Sequence, residues 1–310
     1  MALDRQSRAD PNVQTPIAVF VHVHYPDVWE EMAIWIERAI ARPFHLVLTT
    51  SEEGNNLPIP GGTFLVSQRV ITCTNRGRDI RPFLRALRAP IDYEIGLKLH
   101  TKRSAHRLDG ADWGRMLVQS LLPDRRTTDQ IVEQMSRDRR LVMVAPDGML
   151  VSLDRWMQGN REPMNRTAER LGLDISMTGH QTPVFCAGSM FWFRREAFAL
   201  LEASDLDPLF EEEVGQVDGT TAHALERLFA PIAEKSGGVI TTMKGVVMSD
   251  TGMPSDHLRS LSRQLADQPN AFLRPLPRLI RWVFTIPGVR ALYRAVPVSW
   301  RRLIRRWFRP

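Results

Sequence analysis

Three things are scarce in this 310-residue chain: cysteine, long apolar runs and, over residues 271–310, any acid or lysine. With only Cys73 and Cys186 there is no disulfide framework, and the pair fits buried thiols in a reducing compartment. No stretch approaches the ~18 consecutive apolar residues of a spanning helix, so no integral membrane segment is expected. Met1 to Pro16 is polar and lacks the apolar centre of a secretory signal. The expectation is a cytoplasmic protein.

The net charge of +6 and a pI near 9.9 suggest nucleic acid at first sight. The distribution argues against it. Residues 271–310 carry ten arginines; taking those from the 41 basic residues leaves 31 against 35 acids over 1–270, a net of −4. The body is mildly acidic and the tail polybasic, so nucleic acid is not an expected partner.

Along the body, strand and helix patterns alternate. Ile17–Val23 is a continuous apolar run of strand length. Asp27 is placed to cap a helix from Val28 to about Ala41, and His45–Thr50 reads as the next strand. Phe64–Thr74 supplies short strands, Asp79 caps a helix through Leu87, and Tyr93–Leu99 alternates as a strand. Helices are expected near 111–122, 128–136, 163–171, 195–203 and 220–235. Further strands are expected at 141–145, 184–193 (broken at Gly188) and 238–248. This order predicts an α/β fold: a mostly parallel sheet flanked by helices. The expected division is a flexible N-terminus (1–15), a body (16–250), a linker (251–270) and a basic amphipathic tail (271–310).

Ligands of such sheets gather beyond the carboxyl ends of the strands, where the polar clusters of this chain fall. His22 and His24 share one side of the first strand; without a third ligand in a convincing position, packed or rim histidines explain them better than a metal pair. Asn75-Arg76-Gly77-Arg78-Asp79 joins a strand to a helix. It offers free N–H groups and two guanidiniums to a phosphate, though a surface turn explains it equally. Lys98-Leu-His100-Thr-Lys102-Arg103 ends a strand with a concentration of cations, where an anionic ligand would sit. Gly188 permits close backbone approach, and Trp192 is a candidate for stacking on a sugar ring, against the alternative of a core strand. Glu211, Glu212, Glu213 and Asp218 precede a helix that carries His223, a plausible place for a general base.

Several of these blocks resemble the rhamnan synthesis protein F family. They are His24-Tyr25, Asn75–Asp79, Lys98–Lys102, Trp113, Ala187-Gly-Ser-Met-Phe-Trp192 and Phe210–Arg227, in order over about residues 17–240. The resemblance implies a glycosyltransferase of surface-polysaccharide assembly with a GT-A-like nucleotide-sugar fold. The implied partners are a donor such as dTDP-L-rhamnose, a lipid-linked or growing glycan acceptor and an anionic membrane, at whose cytoplasmic face the protein would be peripheral. The donor site would draw on Asn75, Arg76, Arg78, Asp79, Lys98, His100, Lys102 and Arg103. The acceptor or sugar site would draw on Gly188, Trp192 and His223, and catalysis on His100 with Glu213 or Asp218 as base. Where GT-A enzymes usually carry Asp-x-Asp at the central strand end, this chain has Lys98-Leu-His100, so no obligatory cofactor is expected; Mg or Mn stays possible. The alternative is a non-catalytic glycan-binding or assembly subunit.

The tail is two-faced. Trp300, Leu303, Ile304, Trp307 and Phe308 recur at helical spacing, opposite Arg301, Arg302, Arg305, Arg306 and Arg309. Aromatic anchors facing a cationic stripe suit an interfacial helix, and each arginine near an anionic leaflet contributes ~1 kcal/mol, screened by salt. Packing of these helices on the protein's own body is the alternative. The full chain is expected to co-sediment with anionic vesicles and a chain ending near Gln268 is not; equal binding by both refutes tail-driven docking.

Overall fold

The protein is described by a computed structural model over residues 15–51, 57–103, 110–174, 183–216, 218–249 and 252–268, with Asn270, Leu273 and Val296 besides. The tail residues Trp300, Arg301, Arg305 and Trp307 lie outside the described residues, as do residues 1–14.

The apolar run Ile17–Val23 forms β1, buried along its whole length. Next come α1 (Pro26–Ala39), β2 (Phe44–Thr50), β3 (Leu65–Thr72), α2 (Ile80–Leu87) and β4 (Ile95–His100). Then follow α3 (Gly110–Leu121), α4 (Arg125–Arg137), β5 (Leu141–Ala145), β6 (Leu150–Ser152), α5 (Arg161–Arg170), β7 (Val184–Cys186) and β8 (Phe191–Arg194). The last are α6 (Ala199–Ala203), α7 (Thr221–Lys235), β9 (Val239–Thr242), α8 (Met243–Met248) and α9 (Ser255–Leu265). Seven strands form one sheet in the order β3-β2-β1-β4-β8-β5-β9, while β6 and β7 pair separately. Only β8 runs antiparallel within the large sheet, wedged between β4 and β5. The expected α/β architecture with a mostly parallel, helix-flanked sheet is therefore the observed one.

Alternation along β8 sorts the aromatic block. Phe191 and Phe193 face α2 and α7, in contact with Phe83, Phe198 and Phe229. Trp192 faces the other way, fully buried, and its Nε1–H donates to Leu121 O at 3.0 Å.

Several local expectations need correcting. Tyr25, not Asp27, is the N-cap of α1; Pro26 takes the first helical position, where its missing N–H costs nothing. Asp79 stands at the N-cap of α2 but makes no capping bond. The stretch expected to be a linker contains α9, whose Leu258 and Leu265 are buried and whose Ser262 hydroxyl donates to Ile240 O. It belongs to the packed body. The expected strand pair over 238–248 is β9 followed by α8, which Thr242 caps by accepting from Gly245 N–H.

One charged pair lies inside this core. Lys98, on the middle strand β4, is 1% exposed, and its ammonium sits 5.2, 5.8 and 5.8 Å from the ring centroids of Phe83, Phe191 and Phe229. It donates to Asp79 Oδ2 at 2.5 Å, Ser189 O at 2.7 Å and Ser189 Oγ at 2.9 Å. All three ammonium hydrogens are thereby used. Burial by itself would raise the Asp79 carboxyl, yet the adjoining His100 ring, the Lys98 ammonium that donates to it and the Lys102 charge hold it well below the carboxylate range. Its stabilising contribution is thus complete above the unfolded carboxyl pKa, ~3.9, and is lost only far into acid. Asp79→Asn leaves Lys98 unpaired and should cost about 3–5 kcal/mol in urea unfolding, much of it recovered by adding Lys98→Met. A single variant within ~0.5 kcal/mol of wild type would show that the pair does not hold the core.

Candidate functional site

β1 and β4 run parallel with His22 beside His100, so both strands deliver their ends to one place. Thr101 fastens the exit of β1: its N–H donates to His22 O, and its Oγ1 accepts from the N–H groups of His24 and Tyr25, each at 2.9 Å. His22 Nδ1 lies 3.0 Å from Thr49 Oγ1 and burial lowers its pKa to about 4; it is a packed, neutral histidine, in line with the sequence reading.

His100 is 5% exposed, and its Nδ1 is 3.3 Å from Asp79 Oδ2 but misaligned, leaving that nitrogen without a hydrogen bond. Burial holds His100 well below the usual histidine range, against the opposing pull of Asp79. At neutral pH it is an uncharged imidazole. Lys102 lies next to it, its ammonium 4.4 Å from the centroid of Trp113. Burial lowers the Lys102 pKa; Glu226 and then Asp79 oppose the shift. Both residues border a small cleft of about 60 Å³ between α1 and α3, walled by Val28, Met32, Trp35 and Val118.

Opposite the strand ends stands the start of α7. Thr220 and His223 form a capping box, with His223 Nδ1 2.8 Å from Thr220 Oγ1 and Nε2 buried without a hydrogen bond. Burial lowers the His223 pKa, helped by Arg78 and opposed by Glu226 and Asp218. Both Asp218 carboxylate oxygens are buried and lack hydrogen bonds, and Arg227 forms an ion pair with one of them at 3.5 Å.

The structure divides the sequence candidates by what their polar atoms already do. Lys98 is saturated internally, so it anchors Asp79 and the Ser189 turn and has no N–H left for a phosphate. Trp192, sealed in the core, is not available to stack on a sugar. Arg76 bonds Phe210 O and Glu211 O, Arg78 bonds Gln216 O, and Glu213 Oε1 accepts from Gly77 N–H at 3.1 Å. The 75–79 turn is therefore stapled to the 210–216 segment, and Glu213 serves as a staple. Arg78 keeps a side chain that is 38% exposed at the rim; Asn75 is exposed on the same turn. Arg103 is turned aside, paired with Asp27 and lying over Tyr25. Glu211 accepts from Thr221 N–H at 2.9 Å, and Asp207 receives Arg81 and Arg85. Among the described residues, no group of three or more His, Cys, Asp or Glu side chains is arranged to hold a metal.

Helix position alone suggests that Glu226 pairs with a neighbouring cation. Lys102 is such a cation, and Glu226 Oε1 also accepts from Gly188 N–H at 2.9 Å. Gly188 has φ +94°, and a Cβ there would lie 2.8 Å from Leu117 Cδ1. A clue existed in the spacing, since Glu226 follows His223 by one helical turn. Lys102 feels the charges of Glu226 and Arg78, and His223 those of Arg78, Glu226 and Asp218, so these groups, with His100 and the Gly188 turn, form one polar cluster.

Fold and site together define an α/β protein with a polar cluster beyond the carboxyl ends of a mostly parallel sheet. A model of the family described as rhamnan synthesis protein F matches residues 2–237, and the chain belongs to that family. Over 271 residues it is 34% identical to the uncharacterized protein WxcX of Xanthomonas campestris pv. campestris, strains B100 and ATCC 33913. The match covers 83% of this chain and 38% of each relative, so the chain spans about two fifths of their length. A crystal structure of S. aureus TarS 1–349 shares 9% identity at a TM-score of 0.39, covering 92% of this chain and 76% of that one.

Because Glu226 is the chief charge opposing the desolvation of Lys102, Glu226→Gln should lower the Lys102 pKa further while the amide oxygen still accepts from Gly188. Carbon-detected NMR titration of the lysine side chain reads this. An unchanged Lys102 pKa would mean that the Glu226 charge does not reach Lys102 in solution.

Proposed function

We propose that the chain is a glycosyltransferase that moves a sugar, rhamnose or a close relative, from a nucleotide-sugar donor to a hydroxyl of a lipid-linked or growing surface polysaccharide. The observation that carries this reading is the meeting of two sets of groups in one polar cluster: Lys102 and neutral His100 at the end of β4, and Asp218 and His223 at the head of α7, linked through the charges of Glu226 and Arg78. Family membership supports the same reading at the level of polysaccharide synthesis. The mostly parallel sheet, with the polar cluster beyond the end of its middle strand β4, suits the GT-A-like type.

The reaction breaks the bond between the anomeric carbon and the donor diphosphate and forms one to the acceptor oxygen. Negative charge develops on the departing diphosphate, where Lys102 and the rim guanidinium of Arg78 neutralise it and His100 donates a neutral N–H. Groups in such a role are typically worth ~3 kcal/mol each. The acceptor proton goes to a carboxylate, and Asp218 is the better base: its oxygens are free of hydrogen bonds, while Glu213 is engaged by Gly77 and Arg78. No step is assigned to Mg or Mn, because the described acids are not grouped as ligands. The second reading, a non-catalytic glycan-binding subunit, is favoured by one observation: the ions at the end of β4 partly satisfy one another.

A panel of nucleotide sugars scored for binding and turnover decides between these. Asp218→Asn should lower turnover by ~10²-fold or more with donor affinity held within about twofold, and Lys102→Ala should lower both. Nucleotide-sugar binding without release of free nucleotide diphosphate would establish the second reading and sink the first.

A further inference from the structure

β3 ends the seven-stranded sheet, and its outer edge pairs with no strand among the described residues. Parallel sheets are usually covered on both faces, and natural edge strands are blunted by shortness, proline, bulges or inward charges. β3 is eight residues long, contains no proline and has a single charge, Arg69, and every residue from Val66 to Val70 is exposed. Val66 is 53% and Val70 49% exposed, two of the six large apolar side chains most open to solvent among the described residues.

These two valines lie on one face of the strand, each two residues from Gln68. That spacing is self-complementary. A two-fold axis normal to the sheet keeps every residue on its own face, so a second copy can pair antiparallel only in registers that match like faces. With the axis at Gln68, Gln68 stands opposite its own counterpart, Val66 opposite Val70, Leu65 opposite Ile71 and Ser67 opposite Arg69. Apolar meets apolar, amide meets amide, and no like charges face each other. Moving the axis to Arg69 would set two guanidiniums face to face. We propose that a second copy of this chain pairs along β3 in the Gln68-centred register, joining two seven-stranded sheets into one. The two polar clusters then lie at opposite ends of the joined sheet, so the pairing is independent of any transferase reading.

The test uses the full chain without any donor or acceptor. Sedimentation velocity should show the mass rising toward double with concentration, and Val66→Lys or Val70→Lys should weaken association ~10-fold or more. Both positions are exposed, so the subunit fold should survive, as checked by circular dichroism. Gln68→Cys should cross-link on mild oxidation, because directly facing residues lie within disulfide reach. Arg69→Cys should not, because its own counterpart is a diagonal neighbour beyond that reach. The native Cys73 and Cys186 are buried and leave the introduced thiol as the accessible one. A monomer at every concentration overturns the proposal, as does a dimer indifferent to Val66→Lys. Cross-linking of Arg69→Cys as fast as Gln68→Cys overturns it too.

Discussion

The structure is organised around one costly group, the ammonium of Lys98 inside an aromatic enclosure on the middle strand. A buried cation is tolerable only when every donor finds an acceptor, and here the acceptors come from separate parts of the chain. Asp79 arrives at the head of α2 and Ser189 in the turn between β7 and β8. That turn is held in its place by Gly188 N–H on Glu226 of α7. Satisfying one charge therefore joins β4, α2, the β7–β8 turn and α7, the same elements that carry the polar cluster. The geometry of the site follows from the solvation requirement of the core beside it.

Desolvation then sets the character of the groups that remain. His22 and His100 are pushed to the neutral form and Lys102 is made easier to deprotonate, because burial penalises cations. Asp79 stays ionised because the Lys98 ammonium touches it. Partner occupancy separates anchors from working groups more cleanly than residue type does. Arg76, Glu211 and Glu213 all look catalytic in a list of charged residues, yet each has its polar atoms committed to backbone. Asp218 and His223 Nε2 are buried without hydrogen bonds, a condition that costs stability and persists where something else compensates it. A bound ligand with hydroxyl groups would supply that compensation.

Much of the scaffold was legible in the sequence because burial leaves a period. The unbroken apolar run of β1, the helical spacing of Met32, Trp35, Ile36, Ala39 and Ile40, and the alternation around Lys98 each correspond to an observed element. What period does not encode is partnership. Lys98 at a strand end reads equally well as a ligand for phosphate or as half of an internal pair, and only Asp79, nineteen residues earlier, decides. Trp192 looked like a stacking platform because nothing local says that α3 lies across it. The antiparallel insertion of β8 between β4 and β5 was likewise hidden, since strand direction is fixed by contacts distant in sequence. The bond from Gly188 N–H to Glu226 was hidden for the same reason, since the two lie thirty-eight residues apart.

Two glycines show how narrow the solution is. At Gly77, φ is +70° and a Cβ would come within 2.6 Å of both Arg81 and Phe210, so a side chain would push apart the staple between the 75–79 turn and the 210–216 segment. At Gly188 the added atom would strike Leu117 and lift the turn that carries Ser189 away from Lys98. Both positions demand a left-handed backbone and an empty Cβ at once, which only glycine supplies without strain. One glycine fixes the wall that holds Glu213 and Arg78, the other the wall that joins Lys98 to Glu226. The seating of both walls therefore depends on two positions without side chains, and the charges they bring together depend on the groups packed against them.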